Sequence, residues 1–163
     1  ARLIASRAMK AVVQRVARAR VSVVDPDGGE RAVAAIGRGL LVLAGVARDD
    51  TESDCQLLAH KILTLRIFPS DRRPLDRSLV DVGGEILCVS QFTLLADARR
   101  GRRPSFEEAA PPERAEVLYE RLCELLGAKR GCFGAHMRVE LVNDGPVTIV
   151  LDTQLLARRD EPS

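Results

Sequence analysis

The stretch Leu40–Ala47 (LLVLAGVA) constrains the fold more than any other segment. It is almost unbroken in apolar residues, far too short to cross a bilayer as a helix, and reads as a β-strand covered on both faces. A strand of that kind belongs to a layered fold in which other elements cover the sheet. Lys10–Val16 and Ala19–Val24 are rich in Val, partly alternating, and predict two strands ahead of it. Asp25-Pro26-Asp27-Gly28-Gly29 is a dense turn signal leading into a short strand at Arg31–Ile36. Behind the apolar run, Thr51-Glu52-Ser53-Asp54 has the form of a capping box, and Leu58, Ile62 and Leu65 continue it as one helical face. Pro69 is expected to end that helix, with Ser70–Arg77 as a charged loop. Glu85–Ala96 begins as a strand. Pro111-Pro112 opens a second helix, with Ala115, Leu118, Leu122, Leu125 and Leu126 on one face and Gly127 at its end. His136–Asn143 and Val147–Thr153 read as a last pair of strands about Asn143-Asp144-Gly145-Pro146. The expectation is a single domain, α/β or α+β, with two amphipathic helices.

Charge and composition narrow the function. Residues 1–8 precede Met9, from which MKAVVQRV reads like a natural start, so they are expected to be a tag or N-terminal extension. Without Arg2 and Arg7 the Lys+Arg count falls from 25 to 23, equal to the 23 Asp+Glu. A globally basic nucleic-acid binder is thereby excluded, though a locally basic one is not. One Tyr, four Phe and no Trp argue against binding by the stacking of many bases. Cys55, Cys88, Cys123 and Cys132 form no CxxC and read as reduced structural thiols, which together with the lack of a signal peptide points to the cytoplasm.

Standard catalytic constellations are missing. There is no HExxH, no paired CxxC, no GxSxG, no GxGxxG and no P-loop, so neither a metal nor a cofactor is expected. Three local features remain. Ser90-Gln91-Phe92-Thr93 interrupts a strand pattern that ought to be apolar; it marks either a hydrogen-bonded site or the polar side of a half-exposed strand. Arg99, Arg100, Arg102 and Arg103 put four cations in five positions ahead of Ser105-Phe106, as a solvated loop or as a phosphate contact with an aromatic nearby. Asn143-Asp144-Gly145-Pro146 suggests a tight hairpin turn with a bent strand entry.

Taken in order, AVVQRV (Ala11–Val16), GRGLLVLAGV (Gly37–Val46), KILTLRIF (Lys61–Phe68), VSQFTL (Val89–Leu94), GRRPSF (Gly101–Phe106), FGAHM (Phe133–Met137) and ELVNDGPVT (Glu140–Thr148) resemble the D-aminoacyl-tRNA deacylase family. The resemblance runs from Met9 to about Asp152. It implies a mixed, largely antiparallel sheet curved into a barrel-like core with two main outer helices. It implies a cytoplasmic homodimer, acting without metal, membrane or cofactor, that hydrolyses the ester joining a D-amino acid or glycine to the terminal ribose of tRNA. Ser90, Gln91, Phe92 and Thr93 match the motif lining the aminoacyl pocket, with backbone N–H groups near Phe92 and Thr93 holding the oxyanion. Thr93 then need not be a nucleophile. Gly145 and Pro146 match a Gly-cisPro element inserted into the other subunit's pocket to exclude L side chains, and Arg15 is expected to brace it. Phe133, Gly134, Ala135 and Met137 match the segment around the terminal adenosine, and Arg99, Arg100, Arg102 and Arg103 would meet acceptor-stem phosphates. His136 departs from an Asp common at its position, and Asp76 replaces a usual Asn, which puts polar contacts from its loop in question. Two alternatives stay open: a non-enzymatic nucleic-acid-binding module, and a small-ester hydrolase, which the missing elbow and triad disfavour. Residues 154–163 are expected to form a tail.

Overall fold

One long strand organises the chain. In the structure, a computed structural model that describes residues 8–157, β1 spans Lys10–Val24 without interruption. Its first half pairs antiparallel with β3 (Gly39–Gly45), Val13 opposite Val42, and its second half with β2 (Glu30–Ile36), Ala19 opposite Ile36. The opposite edge of both halves is taken by β6 (Met137–Asp152), again antiparallel. β4 (Glu85–Ser90) lies parallel to β3, and the two-residue β5 (Lys129–Arg130) parallel to β4. Each parallel step needs a crossover, which helices supply. α1 (Glu52–Thr64) and the short α2 (Leu79–Val82) connect β3 to β4, and α3 (Pro112–Leu126) connects β4 to β5. The sheet curls until Lys129 Nζ donates to Ala35 O at 2.9 Å and pairs with Glu85 at 3.1 Å, leaving a nearly closed barrel.

The curled sheet separates two cores. Between sheet and helices lie Val13, Leu40, Val42, Ile86 and Cys88 from the strands, packed on Leu58, Ile62, Leu118 and Leu122 from α1 and α3. Inside the curl lie Val16, Ala19, Val21, Ile36, Leu41, Leu87 and Val89, with no helical residue among them. Both faces of β3 are therefore covered, as its unbroken apolar run requires. Full burial of each Leu, Ile or Val contributes about 1.5–3 kcal/mol. The capping box of α1 forms: Thr51 N donates to Asp54 Oδ2 at 2.8 Å. α3 ends where Gly127 takes a left-handed φ of +62°.

Several expected boundaries moved. The two strands expected at 10–16 and 19–24 are one, because β1 changes partner from β3 to β2 while β6 carries it across the gap. A register shift between Val16 and Arg18 explains the broken alternation: Val16 faces the inner core, and so do Ala19 and Val21, an odd step away. The final pair of strands is likewise a single strand with no hairpin. Gln14 pairs with Thr148 and Val16 with Asn143, so Arg15 alone faces Asp144–Val147, which leave the ladder as a wide bulge. α1 stops at Thr64, before Pro69 is reached. β4 stops at Ser90, and Phe92–Leu95 form a 3-10 turn rather than more strand. The expected tail boundary after Thr153 instead carries α4 (Thr153–Ala157), whose Gln154 and Leu155 N–H groups donate to Asp152 Oδ1. Of the expected extension, Ala8 is buried, and residues 1–7 lie outside the described residues.

Candidate active site

The polar interruption in the sequence is the end of β4. Ser90 is paired with Ala44, and Gln91 N–H still donates to Ala44 O at 2.8 Å before the chain turns. The turn folds back over the end of β3 because residue 45 is glycine. A Cβ there would sit 2.6 Å from Leu95 Cδ2 and 2.8 Å from Gln91 O. Within the turn Leu94 N–H donates to Gln91 O, whereas Phe92 and Thr93 open it, where a helical turn has no carbonyl for its first N–H groups. Gln91 Nε2 lies 2.5 Å from Thr93 Oγ1, so that hydroxyl accepts from an amide that cannot take its proton. Phe92 is 56% exposed and meets Phe106 edge to face at 5.0 Å.

A second segment closes on the same place. Gly131 N–H and the Tyr119 hydroxyl both donate to Cys88 O, at 3.1 and 2.8 Å, fastening the chain after β5 to β4. Phe133 packs on Tyr119 with ring centres 5.9 Å apart. Gly134, at φ +75°, allows the tight turn that returns through His136, whose carbonyl accepts from Val24 N–H at 2.8 Å. Burial raises the Tyr119 phenol, and a hydrogen bond with Cys123 followed by burial raises the Cys88 thiol, above their usual ranges, so both stay protonated beneath the site.

Ser90, Gln91 and Phe92 thus line one cavity of about 660 Å³ together with Phe133, Gly134, Ala135 and Met137. Thr93 is beside it through Gln91 but is not among its lining residues. Arg99 does not reach it: its guanidinium grips Asp97 through Nε and Nη2 at 2.9 and 2.7 Å, which holds the Asp97 carboxyl down at about 2. Arg100, Arg102 and Arg103 are exposed on the same loop, which the Asp97–Ser105 bridge closes. The Asp76 loop is richly bonded despite its unusual residue. Asp76 accepts from Ser70 Oγ at 2.6 Å and pairs with Arg66, and the Ser70 bond, followed by the nearby arginines, keeps its carboxyl below the usual range.

Gly145, Pro146 and Arg15 are elsewhere in the chain. The Gly145–Pro146 bond is cis, and the bulge carrying it is held at several points. Arg15 Nε donates to Asp144 O at 2.8 Å and Nη1 to Ile67 O at 2.7 Å. The Asn143 side chain takes the place of a ladder partner, its Oδ1 accepting from Val147 N–H at 2.8 Å and its Nδ2 donating to Val147 O at 3.2 Å. Arg15 pairs across β1 with Leu40, whereas Ser90 pairs with Ala44, so the bulge stands about 13 Å further along the sheet at ~3.3 Å per residue. It does not line the cavity of its own chain.

Sequence reasoning missed Arg48, Ala109, Pro111 and Pro112 in the cavity wall, and it noted His136, which also lines the cavity, without giving it a role. Arg48 had a usable signal: it follows the C-terminal end of a parallel strand, where α/β proteins gather their sites. The prolines had none, since nothing local tells that the start of α3 faces β4. Among the described residues no group of three or more His, Cys, Asp or Glu is placed to hold a metal, and no helix is long and apolar enough to cross a membrane.

A curled mixed sheet with a strand-end turn opening on an apolar cavity defines a class. Residues 12–152 match the model of the D-Tyr-tRNA(Tyr) deacylase family. The chain belongs to that family and is an enzyme, a deacylase. It is 55% identical over 153 residues to a D-aminoacyl-tRNA deacylase of Thermotoga petrophila, covering 91% of this chain and 99% of that one. It is 56% identical over 154 residues to that of Roseiflexus castenholzii, covering 90% and 94%. Among solved structures, one described as a c-Myc DNA unwinding element binding protein superposes with a TM-score of 0.80 at 41% identity, over 94% of this chain and 99% of that one. A probable eukaryotic D-amino acid tRNA deacylase superposes at 0.75 and 19% identity, over 88% and 98%, and shares the fold.

Proposed function

We propose that this enzyme hydrolyses the ester joining a D-amino acid, or glycine on a non-cognate tRNA, to the terminal ribose of tRNA in the cytoplasm. The observation that carries the reading is the convergence of Ser90–Phe92 and Phe133–Met137 on one cavity, beside a Thr93 hydroxyl that is hydrogen-bonded to the Gln91 amide. Water adds to the ester carbonyl, the bond to the ribose oxygen breaks, and that oxygen leaves with a proton. The N–H groups of Phe92 and Thr93 steady the oxyanion, where one such donor contributes about 2.7–4 kcal/mol. The neighbouring ribose hydroxyl, rather than a side chain, helps to activate the water. The terminal adenosine lies against Phe133.

Chirality is read by the Gly145–Pro146 bulge of a second copy. Two observations support that arrangement: the bulge is remote from its own cavity, and β6 leaves an apolar face uncovered beside it. Val89, Leu43, Val12 and Val150 are successive partners on one face of the sheet, running from fully buried Val89 to Val150 at 74% exposed. An apolar stripe ending in the open is what a partner covers. In the dimer, main-chain atoms of the bulge occupy the space an L side chain needs, while hydrogen or a D side chain fits.

The test compares release from D-tyrosyl-tRNA, L-tyrosyl-tRNA and free D-tyrosine ester, with the mass in solution measured alongside. Release from the D-charged tRNA alone, by a dimer, is the expected result. Equal turnover of both enantiomers removes the steric account. Binding without release favours a nucleic-acid-binding module, the reading suggested by the description of the relative with 41% identity.

A further inference from the structure

The cavity wall contains one Lys or Arg, Arg48, which neither the sequence motifs nor the steps above employ. Its main chain is fixed on every side. Arg48 N–H donates to Glu108 O at 2.9 Å, the preceding Ala47 bridges to Ala109, and Ala110 N–H donates to Val46 O at 3.0 Å. Asp50, buried beneath, accepts from Ala47 N–H at 2.6 Å and so closes the turn from below. The side chain nevertheless stands exposed, and among the described residues no carboxylate pairs with it. A rigidly rooted, unpaired guanidinium at the rim of an otherwise largely apolar cavity is a site for an anion. The clustered arginines are placed differently: Arg99 already holds Asp97, and none of the four lines the cavity.

We infer that Arg48 binds the phosphodiester on the 5′ side of the terminal adenosine of the substrate. This rests on the deacylase reading above and deepens it. With the ester at Ser90–Phe92 and the adenosine against Phe133–Met137, the wall that remains is apolar (Val and Ala side chains, Phe106 and the segment Ala109–Pro112) except for Arg48, its one charged side chain. A 3′-aminoacylated nucleoside at the end of a chain carries its nearest negative charge on its own 5′ phosphate, and that charge needs a cation at the mouth. Arg48 thereby fixes the depth to which the terminal nucleoside enters, without touching the reacting atoms.

The experiment uses three substrates: D-tyrosyl-tRNA, 3′-O-D-tyrosyl-adenosine 5′-monophosphate, and 3′-O-D-tyrosyl-adenosine, which lacks the phosphate. For Arg48→Gln, KM is expected to rise roughly 10-fold to 100-fold on both phosphate-bearing substrates, as loss of a hydrogen bond to a charged group implies. The kcat stays within about twofold, and the phosphate-free nucleoside is turned over as by the unaltered enzyme. Arg48→Lys restores part of the loss, and the salt dependence of binding weakens by roughly one phosphate contact in Arg48→Gln. Equal losses on all three substrates, or none on any, overturn the inference. If the unaltered enzyme releases tyrosine from none of the three, the deacylase reading itself fails and this inference with it; a thermal melt of Arg48→Gln confirms that its fold is intact.

Discussion

Arg15 is the clearest place to test whether the bulge is held by design or by accident of packing. Its guanidinium joins two carbonyls that no ladder hydrogen bond serves, Asp144 O in the bulge and Ile67 O beyond α1, at 2.8 and 2.7 Å. A hydrogen bond to a charged donor contributes about 1.5–3 kcal/mol, and leaving a partly buried carbonyl unpaired costs about the same. The Asp144 end is exposed and can turn to water, so Arg15→Ala should destabilise the fold by about 2–3 kcal/mol rather than twice that. For a chain of this size that lowers Tm by roughly 5–10 °C. Arg15→Lys keeps the charge but offers one compact head where two acceptors in different directions need a fork, so it should recover less than half. If the bulge reads chirality, the same variants lower the ratio of kcat/KM for D- over L-tyrosyl-tRNA by about tenfold or more, equivalent to roughly 1.4 kcal/mol. Thermal melts and paired deacylation assays measure both quantities. A melting point and an enantiomer ratio both unchanged in Arg15→Ala would refute the bracing argument.

Other variants probe different parts of the site. Thr93→Ala should retain deacylation within about tenfold, because the hydroxyl is engaged by the Gln91 amide, which cannot take its proton; complete loss with a normal circular dichroism spectrum would restore a nucleophile. Gly45→Ala drives a Cβ to within 2.8 Å of Gln91 O and should cost about 1–3 kcal/mol in urea unfolding, while lowering kcat through the displaced turn. Burial pushes the Asp50 carboxyl up to about 7, against the pull of its backbone hydrogen bonds from Ala47 and Met9. Its folded form then keeps a proton that the unfolded chain has released. Stability should accordingly fall as pH rises from the ordinary carboxylate range to about 7 and level off above it, and Asp50→Asn should flatten that slope in denaturant titrations across pH.

The elements were legible wherever the cause of structure is local. The capping box at Thr51, the Pro-Pro start and Gly127 stop of α3, and the doubly covered strand at Leu40 all follow from residues within a turn or two. Reading failed where a distant partner decides. Asn143-Asp144-Gly145-Pro146 has every local mark of a hairpin, yet no turn forms because β1 is long enough to pair with both flanks, and only Arg15, remote in sequence, shows where the excess residues go. The Ser90–Thr93 interruption coincides with the end of β4, but it did not disclose the geometry there. Those residues turn away from the sheet because Gly45 leaves room beneath them, a condition set 45 residues earlier in the chain. Arg48 escaped notice for a similar reason: one arginine among many acquires meaning only when α3 and the segment after β5 close around it.

The bulge on β6 has a mechanical consequence. Loops that swing need slack chain at their roots, and here the roots are neighbouring rungs of one ladder, Asn143 bonded opposite Val16 and Thr148 opposite Gln14, with the Asn143 amide clamping Val147 between them. Such a projection behaves as a cog tooth cut from the sheet, carried wherever the strand goes and unable to open or shut. If the bulge reads chirality as proposed, a part of this kind makes the judgement at first fit, with no gate to wait for.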